Sequence, residues 1–370
     1  MRIVLFSVLA VTALTGPSLA GTCKAPSTPQ EGVALCTQAI TSGKLPRIEL
    51  AAAYRLRGNA LKKLKQFRRA HADYTKVIEL RPKYFAGYFN RGGTFRIFEQ
   101  YERAVADYTV AIKLNPQFFS SHFNRGYTYS LLNKHKEAIA DYTSAIRIRP
   151  KDPGPLVNRG IANAALKQHK LAIADFEAAT RRNPKLAAAH HYRGESHYEL
   201  EQYDDAIIAL SRAIALNGKS AASFQYRAQA YYEKQRYAKA IADLTRAIAL
   251  EPDSAWSYNE RGISYDELKQ YTKAIADFTR ALALDPKMGD AHRNRGDVRR
   301  SLKQHSAAVD DYTLAIALDT EDVWAYHGRG LAYEALKDKA RAIADFRSAL
   351  AIDSDHQESK DGLRRLGAAF

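Results

Sequence analysis

Histidine and carboxylate side chains crowd one stretch of this chain, from His190 through His191, Glu195 and His197 to Glu199. Imidazole nitrogens beside carboxylate oxygens are the donor set of a zinc-type site. Glycine follows arginine at many points, and a glycine-rich turn cradles phosphate when it follows a strand and opens a helix. Whether either chemistry is real depends on the elements that carry these residues. No nucleophile elbow, no His-Glu-x-x-His run and no isolated carboxylate pair in an apolar setting occurs. The chain is therefore expected to be non-enzymatic and free of cofactors.

The stretch with the histidines is one copy of a 34-residue unit typified by Ala255 to Met288, AWSYNERGISYDELKQYTKAIADFTRALALDPKM. Stepping by that period from Gly262 lands on Gly58, Gly92, Gly126, Gly160, Gly194, Ala228, Gly296 and Gly330. Glycine makes up 20 of 370 residues, so eight hits in nine copies is not chance. From Ala274, every step lands on alanine. Tyr258, Gly262 and Tyr265 stand at i, i+4 and i+7, as do Ala274, Phe278 and Ala281, so each set stripes one helix. The unit is then two amphipathic helices joined near Lys269-Gln270 and closed by Pro286, with Gly262 admitting a second helix to backbone contact. A lone pair leaves an apolar face bare, and neighbours must stack to cover it. In this register His190 and His197 stand where other copies carry tyrosine and fill the core. Only His191 with Glu195 faces a groove, and no metal site is expected. The glycines form a packing row, since no strand precedes any of them.

The unit resembles the tetratricopeptide repeat, with Tyr258 where that family usually carries Trp and with Gly262, Tyr265, Ala274, Phe278 and Pro286 in register. The resemblance implies an all-α, α-α superhelical solenoid of nine 34-residue helix-turn-helix repeats over residues 51–357, right-handed, whose work is to bind another protein. Proline closes six copies, and Gly218, Thr320 and Ser354 stand in the other three. The residue before the glycine, commonly Leu in the family, is Arg in all nine. Copies five and six are the least regular, with Ala209 for a recurrent Asp, Gly218 for Pro and Ala228 for Gly, and a change of curvature is expected there.

Residues 1–20 read as a signal peptide: Arg2, an apolar run from Ile3 to Leu14, the Gly16-Pro17 break, then the small residues Ser18-Leu19-Ala20. The run is too short to span a bilayer. Export follows, to a bacterial periplasm or, as the alternative, out of the cell. Thr22 before Cys23 argues against lipidation. Residues 21–50 form an N-terminal capping segment, with a helix over Gly32 to Ser42. There Cys23 and Cys36, the only two cysteines, either form a disulfide in the oxidising compartment or remain two buried thiols. Residues 358–370 form a C-terminal cap, in which a helix from Gln357 to Phe370 turns Leu363, Leu366 and Phe370 to one side.

The formal charge is +16 and the pI about 9.6. Nine arginines recur at one position, Arg91, Arg125, Arg159 and Arg261 among them, and eight aspartates at another, including Asp107, Asp141, Asp175 and Asp277. A ligand does not share the array's period, so these are read as a structural ladder of Arg–Asp pairs, which the planar guanidinium suits. The export signal, and the absence of basic and aromatic residues interleaved on one face, argue against a nucleic-acid partner.

Recognition is expected at positions that vary. In the family the first helices line a concave surface, and their positions 2, 5, 6, 9, 12 and 13 face a bound peptide. Here copies one to four place Arg55, Asn59, Lys62, Lys63, Phe89, Asn90, Arg96, Phe123, Asn124, Tyr127, Asn158 and Ile161 there, with no acid. Copies five to seven place His191, Tyr192, Glu195, Tyr198, Glu199, Tyr226, Tyr232, Glu233, Trp256, Asn259, Glu260, Asp266 and Glu267. A groove basic at one end and acidic further on would orient an extended protein or peptide segment, and inward asparagines offer donor and acceptor to its backbone. Arg55, Asn59 and Asn90 match half of the set with which some family members hold a C-terminal carboxylate. Ser120 and Asn124 stand where the other half needs cations, so that mode is not expected. Binding of an anionic polymer or membrane surface, and self-association as a structural protein, stay open as alternatives.

Overall fold

Ser254 starts the unit's first helix because its hydroxyl accepts from Ser257 N–H at 3.3 Å, satisfying a donor that the first turn leaves open. That helix, α14 (Ala255–Glu267), ends in a Schellman turn: Gln270 N–H donates to Tyr265 O at 2.9 Å and Lys269 N–H to Asp266 O at 2.6 Å. Lys269 sits at φ 56 to make the turn. The second helix, α15 (Tyr271–Leu284), starts at once and stops before Pro286. Each copy repeats this, so a non-glycine residue takes a left-handed φ between 55 and 64 at all nine first-to-second turns.

The structure, a computed structural model, describes residue 23 and residues 26–369. The expected signal segment, residues 1–20, and Phe370 lie outside the described residues. Within these the chain forms twenty helices and no strand, an all-α repeat solenoid numbered α1–α20 in chain order. No described helix is long and apolar enough to cross a membrane. The chain divides into two compact units, residues 1–196 and 197–370, and the division falls in copy five. Within each unit, a second helix packs on its own first helix and then on the first helix of the next copy.

The core is made of rings and methyl groups. Ala274 and Ala281 on α15 are fully buried, and Phe278 between them is 1% exposed. Burying such a ring contributes about 2–3 kcal/mol. Gly262 does not admit a second backbone, as the spacing suggested; it admits this ring. A Cβ on Gly262 would lie 2.7 Å from Phe278 Cε1, and one on Gly296 would lie 2.9 Å from Tyr312 Cε1. In copy six the pair changes in concert, with Ala228 packed with Leu244 in one cluster.

The ends are closed as separate problems. Helix α1 (Pro29–Thr41) begins three residues before the expected Gly32, because Thr28 Oγ1 accepts from Glu31 N–H at 3.2 Å and proline suits the first turn. It packs on α2 (Arg47–Lys63), and Cys36 within it is disulfide-bonded to Cys23. Helix α20 (Gln357–Arg365) stops short of the expected Phe370, because Gly367 at φ 63 lets Ala368 N–H return to Leu363 O at 3.0 Å. Leu363 is fully buried there, and Gly362 seats the outer side of Phe346, on α19 (Lys339–Ile352).

Candidate functional site

The recurrent arginines point into the stack. Arg261 Nε donates to Asp277 Oδ2 at 2.7 Å and Nη2 to Oδ1 at 2.8 Å, a bidentate pair between the two helices of one copy. Arg91–Asp107, Arg125–Asp141 and Arg159–Asp175 have the same geometry, with distances of 2.6–3.0 Å. The third guanidinium nitrogen reaches back one copy, Arg261 Nη1 to Thr245 Oγ1 at 3.0 Å and Arg125 Nη1 to Thr109 Oγ1 at 2.9 Å. Arg57 Nη1 instead meets Thr37 Oγ1 of α1 at 3.2 Å, so the N-terminal segment completes the first rung. Sequence reasoning missed these hydroxyls, although Thr or Ser recurs sixteen residues before most of the arginines. Copy five has no such rung: the equivalent residue is Ala209, and Arg193 Nε is buried without a partner.

The first helices carry further charges outside these rungs. In unit one, Lys62 of α2 lies against Gly93 of α4 (Phe85–Ile97), and the Arg96 guanidinium carbon sits 5.2 Å from the ring centre of Tyr127 on α6 (Phe119–Leu131). One face therefore runs continuously across α2, α4 and α6. Arg55, Lys62, Lys63 and Arg96 lie on it, and none makes an ion pair within the described residues. Burial, and then the charge of Arg96, holds the Lys62 ammonium below its ordinary pKa. Asn90 and Asn124 are half-buried on α4 and α6. Asn59 is already engaged, accepting from Tyr74 Oη at 2.9 Å. Asn158 is placed inside: nine of the 12 residues of its helix, α8 (Gly154–Ala165), are buried, and its amide donates to Gly154 O at 3.1 Å. Its Oδ1 is left without a donor.

In unit two the corresponding first-helix positions carry acids. Asn294 Nδ2, on α16 (Gly289–Ser301), donates to Asn259 Oδ1 at 3.2 Å, and Asn259 Nδ2 to Glu260 Oε1 at 3.2 Å. Tyr232 Oη donates to Glu267 Oε1 at 3.0 Å, and the Tyr198 and Tyr226 rings meet edge to face. Burial, with Asp297 and Glu267 nearby, pushes the Asp266 carboxyl up to about 6, and burial also raises Glu260. Residues 1–196 carry 31 Lys and Arg against 13 Asp and Glu, a formal +18; residues 197–370 carry 25 against 27, a formal −2. The excess positive charge thus belongs wholly to the first unit, a division that a residue count by copy would have revealed.

The histidine stretch disperses. His190 Nε2 pairs with Pro184 O at 3.1 Å, as His122 does with Pro116 O and His292 with Pro286 O. His197 Nδ1 meets Gln202 Oε1 at 2.8 Å. His191 lies 3.8 Å from Glu195, and burial pushes it down to about 4.

Tetratricopeptide repeat models match residues 51–84, 119–152, 187–220, 228–300 and 325–356, and a TPR repeat model matches 94–133 and 296–337. No curated protein matches the chain. Among solved structures, the C-terminal part of a TPR repeat-containing protein from Cytophaga hutchinsonii is 21% identical over 65% of this chain and 99% of its own, with a TM-score of 0.54. A tetratricopeptide repeat protein from Parabacteroides merdae is 19% identical over 67% and 98%, with a TM-score of 0.50. The APC/C hetero-tetramer Cut9–Hcn1 is 16% identical over 91% and 86%, with a TM-score of 0.50. At these identities the likeness is one of fold. The repeats are those of a protein–protein interaction scaffold, and protein or peptide segments are its class of partner. Matched over most of residues 51–356, the chain belongs to the tetratricopeptide repeat family.

Proposed function

We propose that this protein is an exported, non-enzymatic scaffold of the bacterial cell envelope that holds an extended segment of a partner protein along the concave face of its first helices. The observation that carries this reading is the contrast between recurrent and variable charges. The recurrent arginines are consumed by aspartates, whereas Arg55, Lys62 and Arg96 share one face with no carboxylate. Like charges gathered with no carboxylate among them are unfavourable by themselves and become favourable when a complementary group arrives. On this reading unit one takes an acidic stretch, with Asn90 and Asn124 on the partner's backbone, and the tyrosines and carboxylates around Glu260 and Asp266 in unit two take a stretch with aromatic or basic anchors. The signal segment supports a periplasmic site of action.

Crosslink-assisted capture of the full chain from its native envelope tests this, compared with a variant carrying Asn90→Ala and Asn124→Ala. Loss of the same partners from the variant is expected; identical partners from both would move the site off this face. A second reading, binding of an anionic polymer or membrane surface, is favoured by the +18 on unit one. Rising salt separates them, since polymer binding through surface charge falls steeply and a groove with apolar anchors much less.

A further inference from the structure

The geometry points to an anion-binding subsite over Gly93, formed by Lys62, Arg96 and Tyr108, that takes one carboxylate side chain of an acidic peptide. This inference rests on the reading of the first-helix face as the partner-binding face and names the group that docks there.

Three donors converge on one glycine. A Cβ at Gly93 would stand 3.7 Å from Tyr108 Oη and 3.9 Å from Lys62 Nζ, with nothing else within 4 Å, so the glycine leaves open the space into which an ammonium and a hydroxyl both point. Arg96, one turn further along α4, lies near the same Tyr108 hydroxyl, its charge opposing the rise that burial gives the phenol's pKa. Its Nε is buried with no acceptor. The Tyr127 ring supports the guanidinium from the next copy. Two cations this close repel one another, and nothing supplies a counter-charge, since Asp107, on the same second helix as Tyr108, is held by Arg91. Ammonium, guanidinium and phenol are all donors, so the group that completes them accepts only, as a carboxylate does. Asn90, one turn before Gly93, then lies beside the backbone that carries it. A peptide is favoured over a polyanion because the site is one pocket over one glycine: Tyr127 and Ile161 occupy the equivalent positions in the next two copies, so it does not extend into a track.

The test uses the full chain and fluorescence anisotropy with a short Glu-rich peptide, its C-terminus amidated, and the matching Gln peptide. Lys62→Gln and Arg96→Gln are each expected to weaken the Glu peptide about tenfold or more while leaving the Gln peptide within about twofold. Lys62→Arg should keep most of the affinity. Gly93→Glu places a carboxylate in the site from within, so it should abolish Glu-peptide binding and raise the melting temperature, because the counter-charge is now part of the fold. Unchanged Glu-peptide affinity in both Gln variants, or a melting temperature lowered by Gly93→Glu, would overturn the subsite. So would binding of a sulfated polysaccharide, competed by neither peptide and lost in the same variants. If the subsite fails while Asn90→Ala with Asn124→Ala still loses its captured partners, the broader reading of the face stands without it. If the Gln variants lose the peptide while the asparagine variant keeps every partner, the subsite stands and the broader reading falls.

Discussion

Replacing Gly262 with alanine puts a methyl carbon 2.7 Å from Phe278 Cε1, 2.9 Å from Cδ1 and 3.0 Å from Cζ. The ring cannot step aside, being 1% exposed and packed among Ala274, Val298, Ile263 and Tyr265. Overpacking of this kind costs about 1–3 kcal/mol, and three contacts this short argue for the upper end. Alanine in a helix interior returns about 1 kcal/mol through propensity, leaving a net loss of about 2 kcal/mol. Phe278→Leu alone loses packed ring area worth about 1–2 kcal/mol. Together the two substitutions recreate the Ala228 and Leu244 pair of copy six, in which the smaller side chain leaves room for the methyl group. The double variant should therefore sit about 2–3 kcal/mol above the sum of the singles in stability, a coupling at the top of the usual range for touching residues. Urea unfolding should be read alongside hydrogen exchange in α14 and α15, because repeat arrays open locally and one midpoint need not describe them. Gly93→Ala is the control, since its methyl group meets nothing closer than 3.7 Å and should stabilise. If Gly262→Ala matched the wild type, or if the two substitutions simply added, the ring would not be what the glycine makes room for.

Other outcomes follow from the same geometry. Lys269 holds φ 56 without being glycine, so Lys269→Gly should stabilise by about 1 kcal/mol, read as a rise in the urea midpoint. Asp277→Ala leaves Arg261, whose side chain is 16% exposed, without its two charge-assisted bonds and should cost about 2–3 kcal/mol; removing the exposed Lys76–Glu79 pair should change stability by less than about 0.5 kcal/mol. His191 is lowered to about 4 by burial, and Glu195 at 3.8 Å does not reverse this. Its neutral form is favoured in the fold, so this stability is present above the unfolded value near 6.5 and is lost as pH falls toward 4, by about 3 kcal/mol in full. Asp266, raised to about 6, acts with the opposite sign, its penalty full above pH 6, shrinking as pH falls from there, and gone below the ordinary carboxylate value of about 4. Acid unfolding curves of His191→Gln and Asp266→Asn separate the two.

The repeat, the helix pair and the rungs were legible because each recurs: one period carries Gly, Arg, Asp and Ala to equivalent places, and the helical spacing assigns them faces. What the glycine row was for was not legible, because clearance for a Cβ depends on where a ring from another helix lands. A trace of it was nonetheless present in copy six, where Gly becomes Ala as the ring sixteen residues on becomes Leu. The groove asparagines were read from helical position alone. Asn90 and Asn124 are half-buried, whereas Asn158 lies in the most apolar first helix of its unit and is enclosed by its neighbours. The hydroxyls at Thr109 and Thr245 were overlooked because charge pairs account for a guanidinium only in part; its fifth N–H also needs an acceptor.

Six of the rungs, those of Arg125, Arg159, Arg227, Arg261, Arg295 and Arg329, join three helices: the arginine's own, the second helix of its copy and the second helix of the copy before. This makes the rungs a coupling device between copies as well as an ion pair within one. Copy five departs at both places, with Ala209 instead of the aspartate and Glu177 instead of the hydroxyl, and the division into two units falls in that copy. The consequence for recognition is a matter of what remains. A residue held in the same way at nearly every step cannot distinguish one ligand from another, and its charge is already matched. Some charges that differ between steps have no opposite partner, positive around Lys62 and Arg96 and negative around Glu260 and Asp266, and on the function proposed above a partner would read these against a frame that the regular residues hold still.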